Sequence, residues 1–193
     1  MGMNLRPLLP VSASATILFS AGLASAEDAW PHSRVGATFG GGLVILPGVA
    51  SAGSLDLLLH VGAQLNKYVG VYVTGFGGFV FPPLAGAGGG AAAIIDVTFD
   101  STIFVGVGPE LDWYEIDSRR RGGASGILAG GRLRFLWNPE RLRPYDIGHT
   151  GFGFVFGADV RLLRANSFAF FRMGAPEARI MVAPVLLFGF MQY

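Results

Sequence analysis

The chain has no cysteine, only three histidines, and charged side chains at just 14% of its 193 positions. Without cysteine there is no disulfide and no thiolate metal centre. His32, His60 and His149 stand too far apart for a metal-ligand spacing, and the Gly-rich stretches follow no strand-to-helix pattern that would cradle a phosphate, so no metal or cofactor is expected. Neither sign of charge is in excess, with 14 Lys and Arg against 13 Asp and Glu. A nucleic-acid partner needs a basic surplus and is not expected either. Soluble domains carry roughly 25% charge. The shortfall, beside 51% hydrophobic residues, implies that much of the surface faces something other than water.

A good membrane helix is missing too. Residues 68–95 carry no charge, yet they hold Gly70, Gly75, Gly77, Gly78, Gly86, Gly88, Gly89, Gly90 and the pair Pro82-Pro83. An interior Gly costs a helix about 1 kcal/mol relative to Ala and a Pro about 3, so the stretch reads better as hairpins than as a helix. The first 26 residues have the features of a secretory signal: Arg6, then apolar residues through Ile17, Leu18 and Phe19, then Ala24-Ser25-Ala26 at the cleavage position. Cleavage there would export residues 27–193 as one neutral domain.

What the chain does have is alternation. In residues 102–114, Ile103, Val105, Val107, Leu111 and Trp113 share one parity, and Thr102, Gly106, Gly108, Glu110, Asp112 and Tyr114 the other. A period of two belongs to an extended strand with one apolar and one polar face. The pattern recurs at about 35–45, 54–65, 68–81, 91–99, 126–137 and 151–163, while 178–193 is apolar on both parities, which leaves its faces open. Eight strands of roughly ten residues suit a closed transmembrane barrel. Closure is compulsory in lipid, where no edge N–H or C=O stays unpaired. The fold class expected is all-β, a closed eight-stranded antiparallel transmembrane β-barrel.

In that topology tight turns at Asn66-Lys67 and Asp100-Ser101 face the periplasm. The first, third, fifth and seventh connections are read as longer outward loops, among them Pro47 to Gly53 and Pro82-Pro83 with its Gly/Ala run. Residues 138–149 break the alternation, either as a long periplasmic connection or as the sign of a miscounted pair of strands. Trp30, Phe81, Trp113, Tyr114, Trp137, Tyr145 and Tyr193 fall near expected strand ends, where amphipathic rings meet lipid headgroups.

With signal, amphipathic strands and the aromatic Tyr193 at the end of the last segment, the chain resembles the small outer-membrane β-barrels of Gram-negative bacteria, of the OmpA, OmpX and OmpW kind. That resemblance implies outer-membrane localisation, outer-membrane lipids and lipopolysaccharide as surroundings, and the barrel-assembly machinery as a partner during insertion. In such proteins a terminal aromatic on the alternating last strand is the mark that machinery reads; here Leu187, Gly189, Met191 and Tyr193 share its parity, with Gly189 departing from the pattern.

The chemistry-bearing residues fall on the polar parity. Glu110 and Asp112, Arg132 and Arg134, and Asp159 and Arg161 point inward on three neighbouring strands, joined in the lumen by Asp56, His60 and Asp96. An eight-stranded barrel is just wide enough for side chains to fill, and buried charges are tolerated when paired. A polar plug is therefore expected before a selective pore. Arg119, Arg120 and Arg121, in an outward loop, are candidates for contact with lipopolysaccharide phosphates, since the guanidinium fork suits phosphate. Barrel lipid A deacylases carry a His-x-Ser pair; none of the three histidines has a Ser two residues on, and no enzyme is expected. A structural or surface-interaction role in the envelope leads, ahead of a narrow solute channel and a secreted or periplasmic lipid-binding barrel with its apolar parity turned inward.

Overall fold

The computed structural model describes residues 31–99, 102–118, 122–139, 152–165 and 180–192. Its strands are β1 (His32–Leu46), β2 (Ala50–Gln64), β3 (Val69–Val80), β4 (Leu84–Phe99), β5 (Ile103–Ser118), β6 (Gly122–Trp137), β7 (Phe152–Ala165) and β8 (Ile180–Gln192). They pair antiparallel in chain order and close into a barrel through β1 and β8. No helix among the described residues is long and apolar enough to cross a membrane.

The pleat converts sequence parity into two surfaces. On β5, Phe104, Glu110, Asp112, Tyr114 and Ile116 are buried, while Val105, Val107, Leu111 and Trp113 are exposed on the outer wall. A slip of one residue would exchange the two sets, which is why the hydrophobic pattern fixes register. The outer apolar run of β5 extends from Ile103 to Trp113 and faces that of β6 from Trp137 to Ile127. Ten residue steps span about 33 Å of strand. At the tilt of a small barrel this gives a belt roughly 25 Å tall, the height of an outer-membrane apolar band.

Several expectations are corrected. The first and third connections are not long loops: only 47–49 and 81–83 separate their strands, and β5 and β6 are likewise three residues apart. The Gly/Ala run after Pro83 is the start of β4, paired with β5 from Leu84↔Ser118 onward. Chain that looked like loop instead lengthens the strands, and Gly48 makes the first turn with φ of 75°. The described strands close as eight, and residues 138–149 fall between β6 and β7 in the chain; 140–149 lie outside the described residues. On β8, Met181, Ala183, Val185, Leu187 and Met191 point inward and Leu186, Phe188 and Phe190 outward. The parity of Leu187, Gly189 and Met191 is thus the lumen side, and Tyr193 lies outside the described residues. Of the aromatics, Phe81, Trp113 and Trp137 are exposed, whereas Tyr114 is 2% exposed and faces the lumen. Trp30 and Tyr145 lie outside the described residues.

Gly189, which departs from the apolar pattern of the last strand, stands hard against β1. A Cβ there would run into the Ala37 carbonyl oxygen and lie 2.6 Å from Thr38 Cα. Backbone cannot retreat without opening the seam. Gly189→Leu is expected to destabilise the barrel by about 1–3 kcal/mol or more, read as a lower urea midpoint for unfolding from detergent micelles.

Candidate functional site

Among the described residues, charge is concentrated in the lumen. Among the described residues, four guanidinium groups (Arg34, Arg132, Arg134, Arg161) and five carboxylates (Asp56, Asp96, Glu110, Asp112, Asp159) are buried there, with His60 between them. Each is delivered by the inward parity of its strand, so the site is a by-product of the pleat rather than of any loop.

The centre is a tight acid and base cluster. Arg134 on β6 donates from Nε to Asp159 Oδ1 at 2.7 Å and from Nη2 to Asp159 Oδ2 at 2.5 Å, a bidentate pair. Arg132 donates from Nη1 to the same carboxylate at 3.2 Å, from Nε to both Glu110 oxygens at 3.1 Å, and closes on Glu110 through Nη2 as well. Asp159 therefore serves two arginines at once. The Nη1 of Arg134 reaches His60 Nδ1 and Thr74 Oγ1, both at 2.9 Å. A guanidinium only donates, so His60 Nδ1 accepts. The ring hydrogen then sits on Nε2, which donates to Thr38 Oγ1 at 2.9 Å.

Two further pairs cross the barrel. Arg161 on β7 binds Asp56 on β2, on the far wall, and donates to Tyr114 Oη at 3.0 Å. Arg34 on β1 donates to Asp96 at 2.7 and 2.9 Å and to Gln64 Oε1 at 3.1 Å. Asp112 is the exception. Neither of its oxygens has a hydrogen-bond partner, and its nearest guanidinium, that of Arg161, stands 3.9 Å away.

Aromatic rings from β3 separate the cations. Phe76 lies between Arg161 and Arg132, at 4.5 and 5.2 Å from the ring centroid, and Tyr72 between Arg34 and Arg134, at 5.0 and 5.7 Å. Such stacking spreads positive charge over ring faces where no carboxylate can reach. Toward the rim at the β1–β2 turn, Leu46, Val80, Leu84, Ile116, Leu128 and Met181 fill the bore with aliphatic side chains. Toward the other rim, Phe104, Leu136 and Val155 are fully buried.

The structure thus gathers Asp56, His60, Asp96, Glu110, Asp112, Arg132, Arg134, Asp159 and Arg161 in one lumen. Expectation on sequence confined the core of the network to β5, β6 and β7; it reaches seven strands because Asp56, His60 and Asp96 bind partners on other walls. Arg34 precedes the first strand expected at about 35–45, yet it is an inward residue of β1, and the even parity it shares with Thr38 is the available signal. Phe76 on the even parity of β3 was also missed. Arg119, Arg120 and Arg121 lie outside the described residues. No cluster of metal-ligating side chains occurs among the described residues.

No family model and no curated protein sequence matches the chain. Solved structures do match in fold. Neisserial surface protein A superposes with a TM-score of 0.54 at 13% identity, covering 85% of this chain and 99% of that one. Ail, the attachment invasion locus protein of Yersinia pestis, gives 0.46 at 10% identity, covering 82% and 97%. The shared architecture is the closed eight-stranded barrel, and it spans nearly all of the Neisserial protein.

Proposed function

We propose that this is an outer-membrane barrel whose wall anchors it in lipid and whose plugged lumen serves rigidity rather than transport, leaving an envelope role in structure or surface interaction. The observation that carries it is the sorting of side chains: Val107, Leu111, Ile95, Leu59 and Leu186 lie on the outer wall, each more than half exposed, while every described ion pair is inside. In water that arrangement would leave an apolar surface far beyond the few hundred Å² a monomer tolerates. A barrel that carries a lipid within would show the opposite polarity. The Neisserial neighbour's name places it at a surface, which accords with this reading.

The channel reading is disfavoured by the same lumen. Arg34, Arg132 and Arg134 are each 1% exposed, and the aliphatic plug blocks the bore above them. Conductance across a planar bilayer is the direct test: purified protein is expected to give no stepwise openings, and reproducible single-channel steps would refute the plugged lumen. Membrane residence is checked separately. The protein should sediment with outer membranes, and unboiled samples should run faster than boiled ones on a denaturing gel. Recovery in the supernatant after ultracentrifugation would refute anchoring in lipid.

A further inference from the structure

Resting on the membrane reading above, we propose that two copies of this chain associate side by side in the bilayer through the outer wall of β6, β7, β8 and β1, about a two-fold axis that passes beside Leu186.

Exposed aromatic rings are spread unevenly around the wall. From β2 to β5 they mark the ends of the apolar run, with Phe79 and Trp113 at one edge and Phe99 at the other. That is the place of an interfacial girdle. On the other four strands the rings climb into the middle of the belt: Trp137, Phe156, Phe188 and Phe39 stand in register across β6, β7, β8 and β1, and Phe39 is the central residue of its strand. Phe154 and Phe190 pair beside them. Headgroup anchoring does not account for rings at that depth.

The rings brace one another. Their centroids lie 4.3 Å apart for Phe154 and Phe190, 5.9 Å for Phe39 and Phe188, and 6.4 Å for Trp137 and Phe156, so little side-chain freedom is left to lose when a partner arrives. An acyl chain laid on the same surface gives up freedom of its own. Release of lipid and close van der Waals packing are what join proteins within a bilayer.

The surface also fits a copy of itself. Leu186, 72% exposed, projects between its cross-strand neighbours Ala158 on β7 and Gly41 on β1. A knob with a hollow on either side is self-complementary, as an interface about a two-fold axis requires: each Leu186 enters a hollow beside its counterpart. The six rings are between 42 and 58% exposed. With about 100 Å² from each, they and Leu186 offer roughly 700 Å². Each partner in a stable interface contributes about 800 Å².

Because the chain has no cysteine, one substitution supplies the only thiol. In phosphatidylcholine vesicles under oxidant, the full barrel carrying Leu186→Cys, or Ala158→Cys should the first fold poorly, is expected to form a disulfide-linked dimer. Ile95→Cys on β4, four strands away, is not. Energy transfer between copies labelled at Asn66→Cys, in the turn between β2 and β3, measures the affinity. Phe39→Ala with Phe188→Ala should raise the protein density needed for half-association about tenfold or more, since each lost contact counts twice across the axis, while Val73→Ala with Ile95→Ala leaves it unchanged. Equal linking at positions 186 and 95, energy transfer absent at every density, or energy transfer indifferent to the ring substitutions would overturn the interface. Failure of the barrel to enter vesicles at all would instead overturn the membrane reading.

Discussion

Replacing Asp159 with alanine is expected to cost the barrel about 3–5 kcal/mol, the penalty for stripping the partner from a buried charge. This carboxylate accepts from Nε and Nη2 of Arg134 and from Nη1 of Arg132, so its loss leaves one guanidinium wholly and another partly uncompensated. Neither guanidinium can swing to water, since both are 1% exposed. Asp112→Asn makes the instructive contrast. Neither of its oxygens has a hydrogen bond to lose, and among the described residues the lumen sets five carboxylates against four guanidinium groups, so neutralising it is expected to be neutral or stabilising. Urea unfolding from micelles, followed by tryptophan fluorescence, measures both. A cost at Asp112 as large as that at Asp159 would show that the network is balanced in a way these contacts do not describe.

Val107→Arg on the outer wall should destabilise the protein in lipid vesicles by about 2–4 kcal/mol, the cost of a guanidinium near the bilayer midplane. Val107 sits close to the middle of the run from Ile103 to Trp113 and is 62% exposed. The same change at Glu115, above Trp113, should cost no more than about 1 kcal/mol, because the penalty falls away toward the interface. That depth profile is what distinguishes a wall in lipid from one in water, where both substitutions would be nearly silent. Equal effects at the two positions would count against the belt.

The parts of this fold legible in the sequence are those set by a single strand. Parity alone places Glu110, Asp112, Arg132, Arg134, Asp159 and Arg161 inward, since a side chain's face depends on its own position in the pleat. Partners are another matter. Asp56 meets Arg161 from the opposite wall, and Arg34 meets Asp96 at a separation of 62 residues; only closure creates those contacts. Strand ends were obscured by composition. The run Ala85 to Gly90 has little intrinsic strand preference, yet it pairs because its small residues admit close neighbours: a Cβ at Gly90 would fall on Asp112, and one at Gly88 on the Tyr114 ring. The faces of β8 stayed open for a physical reason too, since its inward side meets aliphatic plug and its outward side meets the belt, and both demand apolar residues.

The seam between β1 and β8 carries a kinetic consequence. Arg34 and Met191, in contact across it, are 157 residues apart, whereas every other pairing joins strands consecutive in the chain, so this one waits for the whole sheet to curl. Loop-closure entropy makes so distant a pairing the slowest to form. Until it does, two rows of unmet amides and carbonyls border the sheet, which hydrocarbon does not tolerate. On the membrane reading proposed above, assembly must therefore keep those two edges wetted or chaperoned to the last, and locking of the first strand onto the eighth becomes the step that commits the molecule to the bilayer.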